Sequence, residues 1–239
     1  MVRERVLGEN KVELNEVEAA LGVSFGDKGL LRQALVHSSY MNENPGEFPE
    51  SNERLEFLGD AVIGAVVAAE LFRLYPDWPE GELTHGRSVL VRGEALARVA
   101  DSLELGNYLY LGTGEERAGG RRRMNNMAAT FEAVVGALFL DQGYQASRGL
   151  VLGLFAEGLE TLGQPNVPRS SKSALQEAVQ ARGLPPPSYR IVGSEGEDHA
   201  PQFTAEVVVD GDVAGRGAGT RKSLAEQDAA AEALKAMGL

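Results

Sequence analysis

Glu53, Glu56 and Asp60 fall at spacings of three and four, so on a helix they share one face. From Leu55 to Ala69 the only charges are Glu56 and Asp60. A helix that is apolar nearly all round reads as buried, and an ionised carboxylate there is costly unless paired or metal-bound. Like charges four residues apart also repel. A hard divalent cation relieves both penalties, because it takes oxygen ligands. A second apolar segment, Ala128 to Leu138, carries Glu132 as its lone charge. Two such helices could share one Mg2+ site. Ion pairs of Glu53, Glu56 and Asp60 with Arg54, Arg87 or Arg92 are the alternative, and spacing alone leaves both open.

The elements that must position these side chains are helices. Residues 13 to 160 read as one helix after another. Val12, Leu14, Val17, Leu21 and Val23 form one stripe, and Leu30, Leu31, Leu35 and Val36 a second. A polar stretch with Asn42, Asn44, Pro45, Gly46 and Pro49 interrupts the pattern. A long run from Asn52, the expected N-cap, continues to Tyr75 and stops at Pro76 and Pro79. Glu82 to Leu103 is helical in spacing, and Gly106 to Gly114 turns. Met124 to Leu140 is an apolar helix closed by Gly143, and Ala146 to Leu162 follows.

Beyond a linker at 163–171 the pattern changes. Ser173 to Arg182 is a short helix ended by Gly183 and three prolines. Tyr189 to Val192, Gln202 to Val209 and Val213 to Gly217 read as strands, with Asp210-Gly211 as a hairpin turn. The middle strand puts Phe203, Ala205, Val207 and Val209 on one face and Thr204, Glu206 and Val208 on the other. Arg221 to Met237 closes the chain as a helix.

Composition sets the bounds. The chain has 239 residues, 43% of them hydrophobic, which suffices for a core. Its longest apolar stretch, Ala61 to Ala69, is too short for a bilayer, and Met-Val-Arg-Glu-Arg begins no signal peptide. The absence of cysteine excludes disulfides, thiolate metal sites and a cysteine nucleophile, and a cytoplasmic setting is expected. The net charge of -12 argues at first against a nucleic-acid partner. Its distribution weakens that objection: residues 1–163 carry -10 and residues 164–239 only -2.

The segment Asn52-Glu53-Arg54-Leu55-Glu56-Phe57-Leu58-Gly59-Asp60-Ala61-Val62 closely resembles the signature of ribonuclease III, the double-stranded-RNA endonuclease. Companion segments follow in that family's order: Glu80-Gly81-Glu82-Leu83 with Arg87 and Leu90-Val91-Arg92-Gly93, then Leu103-Glu104-Leu105-Gly106 and Leu109-Tyr110-Leu111-Gly112. Thr130-Phe131-Glu132-Ala133, Gly136-Ala137 and Leu140-Asp141 resemble its second catalytic helix. The resemblance implies that Glu56 is a Mg2+ ligand and that Asp60 is a metal-linked residue helping to set up the attacking water. It implies that Glu132 is both ligand and catalytic carboxylate, with Glu53 and Glu80 in lesser roles near the scissile strand. The reaction it implies is metal-assisted hydrolysis of a phosphodiester, with Mg2+ or alternatively Mn2+.

One position departs from the family pattern, which has an aspartate three residues before this glutamate. Ala129 stands there. The fold should tolerate alanine in a helix, but the site loses a carboxylate, and weakened cleavage is expected.

The α-β-β-β-α order resembles the double-stranded-RNA-binding domain, most closely over Gly217 to Ala230. The likeness implies RNA contacts from Gln176 on the first helix, His199 in the loop before the second strand, and Arg221 and Lys222 at the start of the last helix. The family usually has a second lysine where Ser223 stands and a proline where Glu197 stands.

Other signals are weak. Arg121-Arg122-Arg123 is a basic run that could grip RNA or simply be solvated. Gly215-x-Gly217-x-Gly219 lacks the spacing of a dinucleotide loop, and Trp78 reads as a packing residue.

The expected architecture is an all-α endonuclease domain over 1–162, followed by a small α+β double-stranded-RNA-binding domain over 172–239. The resemblance further implies a homodimer acting on precursor rRNA and other structured RNA. Phe57, Leu58 and Val62 are candidate dimer-core residues, or else pack within the domain. A duplex-RNA-binding protein that does not cleave, or a structural ribonucleoprotein component, are the rival readings.

Overall fold

The computed structural model describes residues 14–163, 170–195 and 201–239. Val12, Glu197, His199 and most of the expected linker lie outside the described residues. Contacts divide the chain into two units, Met1–Trp78 with Gly86–Thr161, and Pro79–His85 with Leu162–Leu239. The stretch Pro79–His85 groups with the second unit.

The helices of the first part are α1 (Leu14–Leu21), α2 (Lys28–Ala34), α3 (Ser38–Glu43), α4 (Glu53–Leu74), α5 (Glu80–Val91), α6 (Gly93–Ser102), α7 (Thr113–Arg117) and α8 (Met124–Leu162). Helix α8 is broken at Gly143, whose φ of 79° leaves the helical region, and this is where the sequence places the end of one helix. The single helix expected from Glu82 to Leu103 is two, because Arg92 takes an extended conformation (ψ 150°) before Gly93. Short 3-10 turns at Leu105–Tyr108 and Gly120–Arg122 fill the glycine-rich stretches.

Asn52 is the N-cap of α4, as expected, but its side chain makes no capping hydrogen bond. It is buried, its N–H donates to the Val36 carbonyl (2.8 Å) and its amide to that of Ala34 (3.5 Å). It thereby ties the start of α4 to the strand-like segment where Val36 bridges Tyr110. Nor is α4 buried all round. Leu55, Gly59, Val62, Ile63, Val66, Val67 and Leu71 face the core, while Phe57 and Phe72 are 81% and 73% exposed. Ala61, Ala65 and Ala69 are exposed between them. Hydropathy marks a face as apolar, but not whether its own unit covers it.

Helices α4 and α8 cross in backbone contact. A Cβ on Gly59 would meet the Glu132 carbonyl oxygen at 1.8 Å, and one on Gly136 the Leu55 carbonyl oxygen at 2.2 Å. Farther along, the buried Glu70 of α4 pairs with Arg73 (2.5 Å) and with Arg148 of α8 (2.8 Å). Asp141 of α8 accepts from the N–H groups of Gly26 and Asp27, both at 2.8 Å, and so holds the start of α2.

The second part orders as α9 (Ser171–Ala181), β1 (Ser188–Glu195), β2 (Gln202–Val209), β3 (Asp212–Gly219) and α10 (Lys222–Ala236). The strands form one antiparallel sheet in the order β1-β2-β3. Asp210 and Gly211, both at positive φ, make the β2–β3 turn. The core is Leu175, Val179, Ala205, Val207, Val209, Ala225, Ala229, Ala230 and Ala233. A Cβ on Gly215, Gly217 or Gly219 would lie 2.4, 2.1 or 2.7 Å from the backbone of α10 or its first turn. The glycine spacing thus serves close approach of an alanine-faced helix to a strand. Among the described residues no helix is long and apolar enough to cross a membrane.

Candidate active site

The crossing of α4 and α8 brings the carboxylates of two helices together. Gly59 sits between Glu56 and Asp60, and Gly136 lies one turn beyond Glu132. Glu132 is half-buried on α8 and its pKa is pushed up to about 7, first by burial, then by the charges of Asp60 and Glu56. Glu56 is half-buried and shifted upward too, by burial, Glu53 and Asp60 in that order. Glu56, Asp60 and Glu132 therefore share one electrostatic neighbourhood, with Glu53 beside it.

Among the described residues no cation is among the groups acting on Glu56 or Glu132. Arg54 pairs with Glu50 at 2.8 Å, and Arg92 is 3.6 Å from Glu94. Among the described residues Arg87 forms no ion pair with Glu53, Glu56 or Asp60, and Glu53 accepts instead from the Ser51 hydroxyl (3.0 Å). The ion-pair alternative thus fails for the partners considered. Uncompensated carboxylates of this kind suit a hard divalent cation. Among the described residues no group of three or more His, Asp or Glu side chains is placed to hold a metal ion by itself. Ala129 is half-buried on α8, one turn before Glu132.

Glu80 opens α5 at the surface and accepts from the Thr84 hydroxyl at 2.9 Å. It belongs to the second unit and is not among the residues acting on Glu132. Trp78 stacks on Tyr75 at 3.9 Å, a packing role. The basic run divides. Arg121 donates to the carbonyls of Gly106 and Leu109 (2.9 and 2.8 Å) and pairs with Glu116, and Arg123 pairs with Glu115 at 2.7 Å. Only Arg122 of the three carries no such bond among the described residues.

Sequence reasoning missed the network holding the start of α8. The Asn126 amide donates to Glu115 (2.8 Å) and to the Gly120 carbonyl (3.0 Å), and the Thr130 hydroxyl donates to the Asn126 carbonyl at 2.6 Å. Asn126 and Thr130 are buried, and polar residues inside an apolar helix were the available signal.

In the second unit Gln176 is exposed on α9, Arg221 caps α10 without a side-chain bond, and Lys222 begins that helix. The Lys222 ammonium lies 5.9 Å from the centroid of the Phe203 ring. A hydrogen-bonding group on α9 and cations at the start of α10 can meet 2'-hydroxyl and phosphate groups.

Comparison with known proteins agrees with both units. Residues 27–158 match the ribonuclease-III-like family model, and residues 171–237 match the double-stranded RNA binding motif. A ribonuclease 3 of Dehalococcoides mccartyi is 46% identical over 94% of each chain. One of a Roseiflexus species is 46% identical over 94% of this chain and 95% of its own. The solved nuclease domain of ribonuclease III from Campylobacter jejuni, described as flexible in a region involved in dimer formation, superposes with a TM-score of 0.57 at 34% identity. That match covers 61% of this chain and 98% of the solved one. The chain belongs to the ribonuclease III family, the endonucleases of double-stranded RNA.

Proposed function

We propose that this chain hydrolyses double-stranded RNA with Mg2+, or alternatively Mn2+, held by Glu56, Asp60 and Glu132, and that Ala129 slows it. The observation carrying this reading is the isolation of the carboxylates: Glu132 is driven up to about 7 by burial, Asp60 and Glu56, with no cation acting on it. When bound, the divalent cation supplies activated water and neutralises charge on the phosphate. Glu56, Asp60 and Glu132 would be its protein ligands. Asp60, more exposed than the other two, orients the attacking water, and Glu132 holds or takes up a proton as the cation leaves. Glu53 and Glu80 have lesser roles beside the scissile strand. RNA is held by Gln176, His199, Arg221 and Lys222.

The working form is a homodimer. The apolar outer face of α4, with Phe57 and Phe72 exposed at 81% and 73%, supports a two-fold pairing that places two sites along one RNA groove. Substrates are precursor rRNA and other structured RNAs, messenger RNA included, in the cytoplasm. The endonuclease domain spans 1–162 and the RNA-binding domain 172–239.

The test is Ala129→Asp, assayed on an RNA duplex with Mg2+ beside the unaltered chain. The substitution raises the cleavage rate and lowers the Mg2+ concentration needed. Full activity of the unaltered chain sinks the proposed impairment. No cleavage by either, with tight RNA binding, favours the rival reading of a duplex-RNA-binding protein that does not cut.

A further inference from the structure

Lys172, the second residue of α9, is tied to two other elements at once. Its backbone N–H donates to Gln227 Oε1 at 3.1 Å, its ammonium donates to Glu226 at 2.7 Å, and that ammonium lies 4.5 Å from the centroid of the Tyr189 ring. The first bond has a structural reason. N–H groups in the first turn of a helix have no partner within it, and here α10 supplies one. Ser170 Oγ meets the next need by accepting from the Ser173 N–H at 3.0 Å. The ring serves through its face: the Tyr189 hydroxyl is buried without a hydrogen bond among the described residues. That hydroxyl is pushed up to about 12 by burial and then by Glu226.

The position of these contacts gives them a purpose. Gln176 lies one turn beyond Lys172 on α9, and Lys222 lies one turn before Glu226 on α10. Residues four apart on a helix are neighbours on its surface. We infer that Lys172, Glu226 and Gln227 are positioning residues that fix the separation of α9 and α10 and so set the preference of this unit for A-form duplex. The inference rests on the reading above that Gln176 and Lys222 contact RNA. Duplex RNA is recognised by the fixed spacing of its minor-groove hydroxyls and phosphates, so a reader held in register gains affinity by preorganisation. A loosened pair of helices keeps its charge but loses its match to that spacing. Single strands and B-form DNA, which lack the spacing, are bound no worse.

The experiment uses the full chain in EDTA, with Glu226→Gln, Lys172→Met and Lys222→Ala, titrated against an RNA duplex and the DNA duplex of the same sequence at several salt concentrations. Circular dichroism first establishes that each variant is folded at the assay temperature. Glu226→Gln and Lys172→Met each cut the RNA-over-DNA preference about tenfold, with the slope of log affinity against log salt unchanged. Stronger or equal RNA binding by Glu226→Gln overturns the clamp, because a mere surface anion would repel phosphate. A slope reduced by about one in Lys172→Met also overturns it, since Lys172 would then be a phosphate contact itself. If Lys222→Ala leaves RNA affinity and slope unaltered, the reading of the contact residues falls and the inference with it. If Lys222→Ala weakens binding while Glu226→Gln does not, only the clamp falls.

Discussion

Gly59 lies so close to Glu132 that a Cβ on the glycine would stand 1.8 Å from the glutamate carbonyl oxygen. The reciprocal contact, Gly136 against the Leu55 carbonyl at 2.2 Å, makes the crossing of α4 and α8 a contact of bare backbones. Backbone atoms cannot swing aside as a side-chain end can, so any larger residue must part the helices. The carboxylates that influence one another would part with them.

Gly59→Ala therefore reduces cleavage at least about tenfold and costs roughly 1–3 kcal/mol of stability by overpacking. Gly153→Ala is the control, because a Cβ there meets nothing within 4 Å. It leaves cleavage unchanged and raises stability by up to about 1 kcal/mol through helix propensity. Urea unfolding and duplex cleavage, measured on both variants, check the contrast. Equal effects of the two substitutions would remove the special role of the crossing.

The crossing also marks where sequence reading stopped. Glu56, Asp60 and Glu132 were legible as isolated charges in apolar helices, and their joint neighbourhood follows that reading. Gly59 and Gly136 were visible only as residues of a signature, because spacing along one chain does not reveal which backbone another helix will touch. The exposed face of α4 was misread as buried for a related reason: hydropathy is blind to whether the covering surface belongs to the same unit. In the second unit alternation gave the strands and Gly211 the turn. The three glycines of β3 were read only by what they could not be, until α10 was seen against them.

Glu132 predicts how pH acts on the metal-free protein. Its folded pKa of about 7 exceeds the ordinary 4.5, so the folded state retains a proton that the unfolded chain releases. This contribution to stability is full below the ordinary value and is lost as pH rises towards about 7. Glu56, shifted the same way, adds to it. In EDTA the melting temperature falls between pH 5 and pH 8, and Glu132→Gln flattens the fall. Mg2+ bound as proposed would select the ionised form, so it is expected to stabilise the chain more at pH 8 than at pH 5.5. Melting curves across pH, with and without Mg2+, decide this. A Mg2+ effect independent of pH would contradict it.

In the second unit Glu206 is buried between Arg190 and Arg216, each 2.6 Å away, while both arginines stay largely exposed. Arg190, then Arg216, holds its carboxyl below the ordinary value against the opposing effect of burial. Either arginine alone still compensates the charge, so Arg190→Met and Arg216→Met each destabilise mildly. The double substitution leaves the carboxylate without a cation and destabilises more than the two singles added. Glu206→Thr, which removes the buried charge and leaves exposed guanidiniums to water, costs less than the double. Denaturant unfolding of the four variants gives the ranking, and simple additivity would refute it.

Phe57 and Val62 separate association from folding. Phe57 is 81% exposed, and Val62, five residues on, is buried within its own unit. Burying a phenylalanine contributes about 1.5–3 kcal/mol, and in a two-fold interface each substitution counts twice. Phe57→Ser therefore weakens the proposed homodimer by about 3–6 kcal/mol, between a hundredfold and several ten-thousandfold in dissociation constant. Sedimentation velocity should find it monomeric at concentrations where the unaltered chain is a dimer, with its melting temperature measured at low concentration unchanged. Val62→Ala does the reverse, lowering the melting temperature by its cavity while association persists. In the proposed homodimer, cleavage of both strands of a duplex would depend on two sites along one groove, so it disappears with Phe57→Ser and survives in Val62→Ala. A Phe57→Ser chain that still sediments as a dimer would place the interface elsewhere on the molecule.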